Sequence, residues 1–402
     1  MLTNAVAPDK LGGLERYVRE LSAVLVERGV RVVVLTKQVR PDLPRREVGD
    51  DGVEIIRYRV PPKSDPLFAL RYPLSGLRET LTMSQSRSRL LVHAHFPLPA
   101  VALALTRRPY LYTFHSPVYK EVIDERQDTY RLPRAAESLL VAGVRSAERL
   151  LLRRAQQVSV LSDYSRREVA ALDERVAATT TDVIPGGIDR ERFRPRLVSR
   201  DEWAADAEPL LVCARRLTPR AGVRELVEAM SLVRRELPRA RLAIAGDGHL
   251  RPEVERAVAL GGLQSSVRLL GQLESDELVD WYCRADLVVL PTQRLEGFGL
   301  ATAEALACGT PVVGTRMGAT PELLTPVSPH LLSDGITPEA LARAIVSAYE
   351  NADNLAAARM RARDSTVHLD WAVVVDRYLE LYERLAGSTR RSPRTANGHG
   401  QP

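Results

Sequence analysis

The stretch EGFGLATAEALACGTPVV, residues 296–313, is the most informative part of this 402-residue chain. Its LATAEALA core consists of strong helix formers and ends at Gly309, which predicts a short helix beginning near Gly299. The preceding strand candidate ends near Pro291. A helix that starts soon after a strand presents free amides, here those of Gly299 and Leu300, and such amides bind anions.

Two glutamates flank the start of this predicted helix. Glu296 lies in the loop before it and Glu304 about one turn inside it, so both are expected to face the same cleft. Carboxylates in a cleft can accept hydrogen bonds from sugar hydroxyls. An isolated pair of glutamates is more often a pair of solvated surface acids, so the interpretation depends on the surrounding sequence.

Short β-branched runs alternate with helical patterns along the chain, which predicts an α/β fold of parallel sheets covered by helices on both faces. A polar, proline-bearing segment, residues 185–208, separates two such series, so we expect two doubly wound domains that bind ligands at the carboxyl ends of their strands. The strand candidates are residues 31–35, 53–58, 91–93, 110–114, 157–161 and 182–184 before this segment, and 209–213, 241–245, 267–269, 286–290 and 311–313 after it.

The predicted boundaries are residues 1–187 for the N-terminal domain and 188–370 for the C-terminal domain. An amphipathic helix over 371–387 is expected to return to the N-terminal domain, and the polar tail 388–402 is expected to be disordered. Residues 1–6 are the candidate for the first strand, before a glycine loop. They are either the end of that strand or the remnant of a strand truncated because the start codon was assigned too late, and we favour truncation.

The charge balance argues against a nucleic-acid-binding protein. The chain has 57 basic and 51 acidic residues, a net charge of +6, and three of its arginines lie in the acid-free tail. Elsewhere basic and acidic residues are interleaved, as on a solvated surface. The three cysteines are widely spaced, which indicates neither a disulfide framework nor a thiolate zinc site. Without a long apolar segment or a signal peptide pattern, a cytoplasmic protein is expected.

Two further segments offer groups that suit phosphate. Gly12 and Gly13 open an amphipathic helix, where backbone can approach an anion closely. Arg215, Arg216 and Arg220 follow a strand of the second series, and guanidinium groups there can clamp a diphosphate. Each segment alone is equally typical of an ordinary turn in an arginine-rich protein.

The histidines allow two interpretations. His115 directly follows the strand 110–114, where it can bind a sugar hydroxyl or hold a reacting group. His93 and His95 lie on one side of an extended segment. Together with His115 they could be the ligands of a zinc site, which is the alternative interpretation. This alternative is disfavoured because His95 precedes a Phe-Pro turn and no acidic residue has ligand-like spacing. We therefore expect no metal or other cofactor, with arginines and helix N-termini neutralising a diphosphate.

Taken in order, these segments resemble the retaining glycosyltransferases of family four, which have the GT-B fold of two Rossmann-like domains facing across a cleft. The similarity runs from GGLERY at residue 12 through VIPGGIDRERFRP at residue 183, RRLTPRAGV at residue 215 and the E-x7-E stretch 296–313 to the helix beginning near Trp371. The E-x7-E stretch is the most specific. The resemblance implies a hexosyltransferase that uses a UDP-sugar or GDP-mannose as donor.

The resemblance also implies roles for single residues. Glu304 would hold the ribose hydroxyls, Glu296 would hold the donor sugar, and His115 would lie beside the anomeric carbon, so Glu296 and His115 are the expected catalytic residues. The remaining expected substrate-binding residues supply amides or guanidinium groups to the phosphates and the sugar, and they are Gly12, Gly13, Arg216, Arg220, Gly299 and Leu300.

One position departs from the family pattern. Ala221 precedes Gly222 where the family usually has a lysine that pairs with the diphosphate. Losing that charge-assisted contact would cost about 1.5 to 3 kcal/mol of binding free energy. We expect Arg220 to replace the lysine, because its side chain is long enough to reach back.

Several alternatives stay open. The acceptor can be a glycan, a lipid-linked saccharide or a small molecule, and a noncatalytic sugar-nucleotide-binding homologue or a hydrolysing sugar-nucleotide epimerase would share the fold. The helix predicted over residues 136–154 carries arginines that suit peripheral contact with anionic lipid at the inner face of a membrane, although a helix packed on the sheet is the more ordinary interpretation.

Overall fold

The structure is a computed structural model that describes residues 1–10, 12–62, 65, 67–76, 90–104, 106, 108–121, 134–179 and 181–388. Its strands form a three-stranded, a four-stranded and a six-stranded sheet. The strands are β1 (Val33–Lys37), β2 (Arg46–Val48), β3 (Glu54–Tyr58), β4 (Val92–Ala94), β5 (Tyr110–Phe114), β6 (Gln157–Val160), β7 (Thr181–Val183), β8 (Leu210–Ala214), β9 (Arg241–Ala245), β10 (Val267–Gly271), β11 (Leu287–Leu290), β12 (Val312–Thr315) and β13 (Leu332–Ser333).

Helices cover these sheets, as the amphipathic patterns predict. The helices are α1 (Gly13–Glu27), α2 (Phe68–Ser75), α3 (Pro97–Ala104), α4 (Arg134–Arg154), α5 (Asp163–Leu172), α6 (Glu174–Thr179), α7 (Val223–Glu236), α8 (Arg251–Leu260), α9 (Ser275–Arg284), α10 (Leu300–Ala307), α11 (Thr320–Leu324), α12 (Pro338–Glu350), α13 (Ala352–Asp364) and α14 (Trp371–Ser388). In α1, residues Tyr17, Val18, Leu21 and Leu25 form the buried stripe.

The N-terminal half contains the two smaller sheets, in the orders β1-β3-β2 and β4-β5-β6-β7. Leu2 forms parallel bridges to both Leu35 in β1 and Ala94 in β4, so the first residues of the chain lie between the two sheets at the position of a central strand. The short strand β2 is antiparallel to β3 and is absent from the predicted set. Its three half-exposed or exposed residues give no apolar pattern from which to predict it.

The C-terminal half contains the six-stranded sheet, in the order β10-β9-β8-β11-β12-β13 with every pair parallel. Its central strands are continuous apolar runs because helices cover both faces. The order reverses between β8 and β11, so the loops that follow these two strands border a crevice at the carboxyl edge. The arginine segment and the Glu296 loop are those two loops, and the predicted two-part α/β architecture is confirmed.

The last helix, α14, packs against α1 of the N-terminal half. The Tyr17 and Tyr378 hydroxyls lie 2.7 Å apart, and Trp371 Nε1 donates to Glu20 Oε2 at 2.8 Å. Hydroxyl and indole groups buried at this contact therefore have partners, as buried polar groups require. The exact domain boundaries stay a prediction.

Two further expectations concern the ends and surface of the chain. The tail expected to be disordered lies outside the described residues apart from Ser388, the last residue of α14. Within the described part of the chain, no helix has the length and apolar character that crossing a bilayer requires.

Candidate functional site

Helix α10 begins as predicted, after a tight turn at Gly299. Gly299 has φ +98°, a left-handed conformation that favours glycine, and no side chain caps the helix. The first amides of α10, beginning with Leu300, therefore point into the crevice without a capping side chain. This arrangement suits a bound anion.

The N-terminus of α1 lies opposite this helix start. A Cβ placed on Gly13 would lie 3.7 Å from Leu300 Cδ1, so the first turns of the two helices face each other across the crevice. The space beside Gly12 is occupied by the Glu15 carboxylate, which pairs with Lys10 at 2.9 Å. A phosphate bound beside Gly12 would have to displace this carboxylate, because the carboxylate fills that space and repels a second anion.

Glu296 is held within the C-terminal half. Its Oε2 lies 2.6 Å from Arg215 Nη1, and Arg215 Nη2 donates to Thr292 Oγ1 at 2.9 Å. The main-chain oxygen of Glu296 accepts from Ala319 at 2.8 Å. The carboxylate is thus fixed at the mouth of the crevice by the loops after β8 and β11. Arg215, rather than Arg216, makes this contact, and the Arg216 side chain is exposed.

Glu304 is buried, with 4% of its surface exposed, and its partner comes from the other half of the chain. Its Oε1 lies 2.8 Å from Arg16 Nη1, and Tyr282 offers a long hydrogen bond of 3.5 Å to Oε2. Burial raises the pKa of Glu304, while Arg16 opposes the shift. The arginine therefore stabilises the charged form of a carboxylate that burial alone would neutralise.

Arg220 also binds a carboxylate across the crevice. It lies in a short 3-10 turn, residues 219–221, and its Nη1 lies 3.0 Å from Glu121 Oε1. Ser116 donates to the same oxygen at 2.7 Å. Arg220 thus points between the two halves, where a diphosphate is expected, and a bound diphosphate would compete with Glu121 for it.

His115 lies at the carboxyl end of β5, as predicted. Its Nε2 lies 3.2 Å from His95 Nδ1, and its ring meets the Tyr17 ring edge-on at 4.9 Å between centroids. Desolvation lowers the pKa of His115 to about 3, so the imidazole is neutral at physiological pH. A neutral imidazole can orient a hydroxyl but does not carry a positive charge to the site.

The other two histidines of the zinc alternative are engaged in hydrogen bonds. His93 Nδ1 lies 2.7 Å from Tyr382 Oη and His93 Nε2 lies 2.6 Å from Thr113 Oγ1. His95 Nδ1 faces His115. Among the residues that the structure describes, no group of three or more His, Cys, Asp or Glu side chains is arranged to hold a metal ion.

The two halves touch beside these groups. The hydroxyls of Ser162 and Ser165 donate to Gly297 O at 2.6 and 3.0 Å, and a Cβ on Gly297 would clash with the main-chain oxygen of His115. Glu322 accepts hydrogen bonds from the first amides of α5, those of Asp163 and Tyr164. His115 and Glu296 are therefore brought to the same crevice by direct backbone contact.

An open groove with a volume of about 1040 Å³ lies elsewhere on the C-terminal half, between α7 and α12. It is lined by residues such as Leu232, Arg235 and Val346 and contains none of the predicted site residues. Size alone does not mark a site, and the convergence of charged groups and helix N-termini favours the interdomain crevice.

Sequence reasoning missed two residues of this site, Arg16 and Glu121. Arg16 lies three positions after Gly13, about one turn inside α1. Residues at this spacing lie on the same face of a helix, so the spacing could have placed Arg16 at the site. Glu121 lies six residues after His115 in a segment without strong periodicity, so only the tertiary contact with Arg220 identifies it.

Three arginines of α4, the helix considered above for lipid contact, have protein partners. Arg149 and Arg153 pair with Asp173, and Arg145 lies over the Tyr119 ring. Leu139 is exposed. The lipid contact stays a prediction, weakened by these partners.

Comparison with known proteins covers both halves of the chain. Residues 12–187 match a family described as "Glycosyl transferase 4-like domain", and residues 208–351 match one described as "Glycosyl transferases group 1". The D-inositol 3-phosphate glycosyltransferase 1 of Catenulispora acidiphila is 30% identical over 404 residues, which cover 95% of this chain and 93% of that protein.

Two other proteins are similar to this chain, one in part of its sequence and one in its fold. A GDP-mannose-dependent alpha-(1-6)-phosphatidylinositol monomannoside mannosyltransferase of Mycolicibacterium smegmatis is 30% identical over 239 residues, covering 57% of this chain and 60% of that protein. The structure of sucrose-phosphate synthase from Thermosynechococcus elongatus has a TM-score of 0.78 at 24% identity and covers 96% of this chain and 100% of that one. This last likeness supports the fold.

Proposed function

The chain belongs to glycosyltransferase family four, enzymes of the GT-B fold that transfer a sugar from a nucleotide sugar, and from this membership we propose that it is a retaining, metal-independent hexosyltransferase. The observation that carries the proposal is the convergence of two helix N-termini and three arginine–glutamate pairs, Arg16–Glu304, Arg215–Glu296 and Arg220–Glu121, in one crevice. These groups suit a nucleoside diphosphate joined to a sugar, because the anion meets amides and guanidinium groups while the carboxylates meet hydroxyls.

We assign the roles as follows. Glu304 accepts the ribose hydroxyls and Glu296 accepts hydroxyls of the donor sugar. The diphosphate lies between the starts of α1 and α10, near Gly13 and Leu300. When it binds, Arg220 leaves Glu121 and pairs with the diphosphate. Gly12, Arg216 and Gly299 complete the predicted binding residues.

The reaction follows from where charge develops. The bond between the anomeric carbon and the phosphate breaks through an oxocarbenium-like state, and the negative charge accumulates on the leaving diphosphate. Amides and Arg220 stabilise that charge. The acceptor hydroxyl attacks the face that the diphosphate leaves and gives its proton to the phosphate, which retains the anomeric configuration. His115, held neutral by burial, orients the sugar beside the reacting carbon.

Donor and acceptor are proposed as classes. The donor is a UDP-sugar or GDP-mannose, and the acceptor is a hydroxyl of a glycan, a lipid-linked saccharide or a small molecule. The names of the two relatives make GDP-mannose and inositol-containing acceptors the first to test. The reaction is expected in the cytoplasm, with membrane contact if the acceptor is a lipid.

A thermal-shift screen of UDP-, GDP- and ADP-sugars tests the proposal, because a ligand that binds only the folded state stabilises it according to its concentration relative to its dissociation constant. The expected result is stabilisation by one nucleotide series, followed by transfer to an added acceptor with retained anomeric configuration in the NMR spectrum of the product.

Glu304→Gln is the matched control and is expected to lose the stabilisation. Stabilisation without turnover would favour a noncatalytic homologue, and release of an epimerised free sugar without acceptor would favour an epimerase. A flat response to every nucleotide sugar would contradict the proposed function.

A further inference from the structure

Arg16 occupies an unusual position for a residue of the N-terminal half. It projects from the second turn of α1, yet its guanidinium group lies 2.8 Å from the buried carboxylate of Glu304 in the C-terminal half. None of the roles assigned above uses this arginine. It is held on three sides, by Glu304, by Glu20 at 2.7 Å, and by the ring of Phe193, whose centroid lies 5.2 Å from its Cζ.

The surroundings of Glu304 give this contact its importance. The charged or titratable groups that face Glu304 are Arg16 and Glu20 from α1, Tyr282 from α9 and Cys308 at the end of its own helix. Arg16 is the cation of this set, since Glu20 is a second acid and Tyr282 and Cys308 are neutral at physiological pH. Without Arg16, a buried carboxylate would have to remain ionised beside another acid, which is costly.

We propose that Arg16 is the positioning residue of the nucleotide site: by docking α1 against α10 it keeps Glu304 ionised and oriented for the ribose hydroxyls. The proposal rests on the proposed function, because it takes Glu304 as the ribose-binding group. The helix that offers its N-terminus to the diphosphate thus also carries the cation of the ribose site. The contact that joins the two halves therefore also ionises and orients Glu304 for ribose binding.

The physical consequence is a pH effect specific to one variant. Ribose hydroxyls donate to a carboxylate, and a protonated carboxyl accepts such bonds more weakly. Burial raises the pKa of Glu304, and removing Arg16 removes the main opposing influence, so the pKa of Glu304 rises further. Nucleotide binding by such a variant is therefore lost at lower pH and recovers as the pH rises through the new pKa.

Isothermal titration calorimetry with UDP and with GDP at pH 6.5 and pH 9 tests this proposal. We expect Arg16→Met to weaken binding of the nucleotide that the wild type prefers at least about tenfold at pH 6.5, and to recover to within about threefold of the wild type at pH 9. Arg16→Lys, which keeps the charge, is expected to bind like the wild type at both pH values. Arg16→Gln provides a second neutral variant should Arg16→Met fail to fold.

Arg19→Met is the matched control, because Arg19 lies on the same helix but pairs with Asp51 of its own half at 2.7 Å. It is expected to leave both affinities unchanged. Binding by Arg16→Met that equals or exceeds the wild type would overturn the proposal, since Arg16 would then merely compete with the nucleotide. An equal loss at both pH values would also overturn it, by indicating direct contact with the nucleotide. A wild type that binds neither UDP nor GDP would instead refute the proposed function itself.

Discussion

Glu296 and Glu304 belong to one short segment of sequence but are neutralised in opposite ways. Glu296 pairs with Arg215, a neighbour in the same sheet edge, whereas Glu304 pairs with Arg16 from the other half of the chain. The first carboxylate is therefore preorganised by the C-terminal half alone, and the second depends on how the two halves meet. Glu296 is thus positioned before the two halves meet, whereas Glu304 is positioned by their contact. Mutations at the two sites should therefore have different effects.

The largest expected effect is at the group fixed within its own half. Glu296→Ala removes the proposed partner of the donor sugar and leaves Arg215 without its carboxylate, so turnover should fall at least about a hundredfold. Affinity for UDP or GDP alone should change little, because the nucleotide lacks the sugar. Steady-state kinetics and calorimetry on one preparation check both parts, and wild-type turnover would contradict the role of Glu296.

His115→Ala should come next, with a loss of turnover of about a hundredfold, because the imidazole is proposed to orient the sugar at the reacting carbon. Since the pKa of His115 is lowered to about 3, the pH profile of the wild type should show no ionisation of this residue between pH 5 and 8. Retained activity in both His115→Ala and Glu296→Ala would place the active site elsewhere.

Arg220→Ala should raise the donor KM or lower turnover about tenfold or more, since it removes the cation proposed to replace the missing lysine. Arg224→Ala is a suitable control, because its exposed ion pair with Glu228 lies on the outside of α7. Kinetics of Arg220→Ala that match those of the control would show that the diphosphate is held by other groups.

The last expected effect is on stability, with none expected on the groups that bind the donor, and it concerns the support of the loop after His115. Glu148 is buried and accepts from Val118 N at 2.8 Å and Tyr119 N at 3.2 Å, and burial raises its pKa to about 7. A carboxyl with a raised folded-state pKa contributes most below its unfolded pKa, about 4.5, and loses that contribution as the pH rises to about 7.

Denaturant unfolding of the wild type and Glu148→Gln at several pH values measures this contribution. The wild type should lose up to about 3 kcal/mol of unfolding free energy relative to the variant between pH 4.5 and pH 7. Parallel pH curves for the two proteins would show that Glu148 does not titrate in this range.

The difference between Glu296 and Glu304 also explains which features could be predicted from the sequence. The helix start at Gly299 and the strands beside it were predictable because helix propensity, glycine positions and apolar runs are local properties. The fold class and the family membership predicted from these properties were confirmed by the comparisons with known proteins. The partners of the charged residues were not predictable, because Arg16 and Glu304 are far apart in sequence and only the docking of two halves brings them together.

One strand was missed for the same reason. The strand β2 lacks an apolar face, and its pairing with β3 is a tertiary event. Residues 1–6 were the candidate for the first strand, either its end or the remnant of a truncated one. The parallel bridges of Leu2 to Leu35 and to Ala94 put the start of this segment at a central position, and truncation stays a prediction. The functional roles of the site residues stay predictions until variants are measured.

The backbone contact at Gly297 has a consequence for how such an enzyme can change over evolution. Because the main chain of Gly297 packs against the main-chain oxygen of His115, the spacing between the loops that carry His115 and Glu296 does not depend on the side chains of His115 and Glu296 themselves. Substitutions around the crevice can alter which sugar or acceptor fits while the separation of these two loops stays constant. A side chain introduced at Gly297 would push these two loops apart, and it would therefore alter the reaction with every substrate.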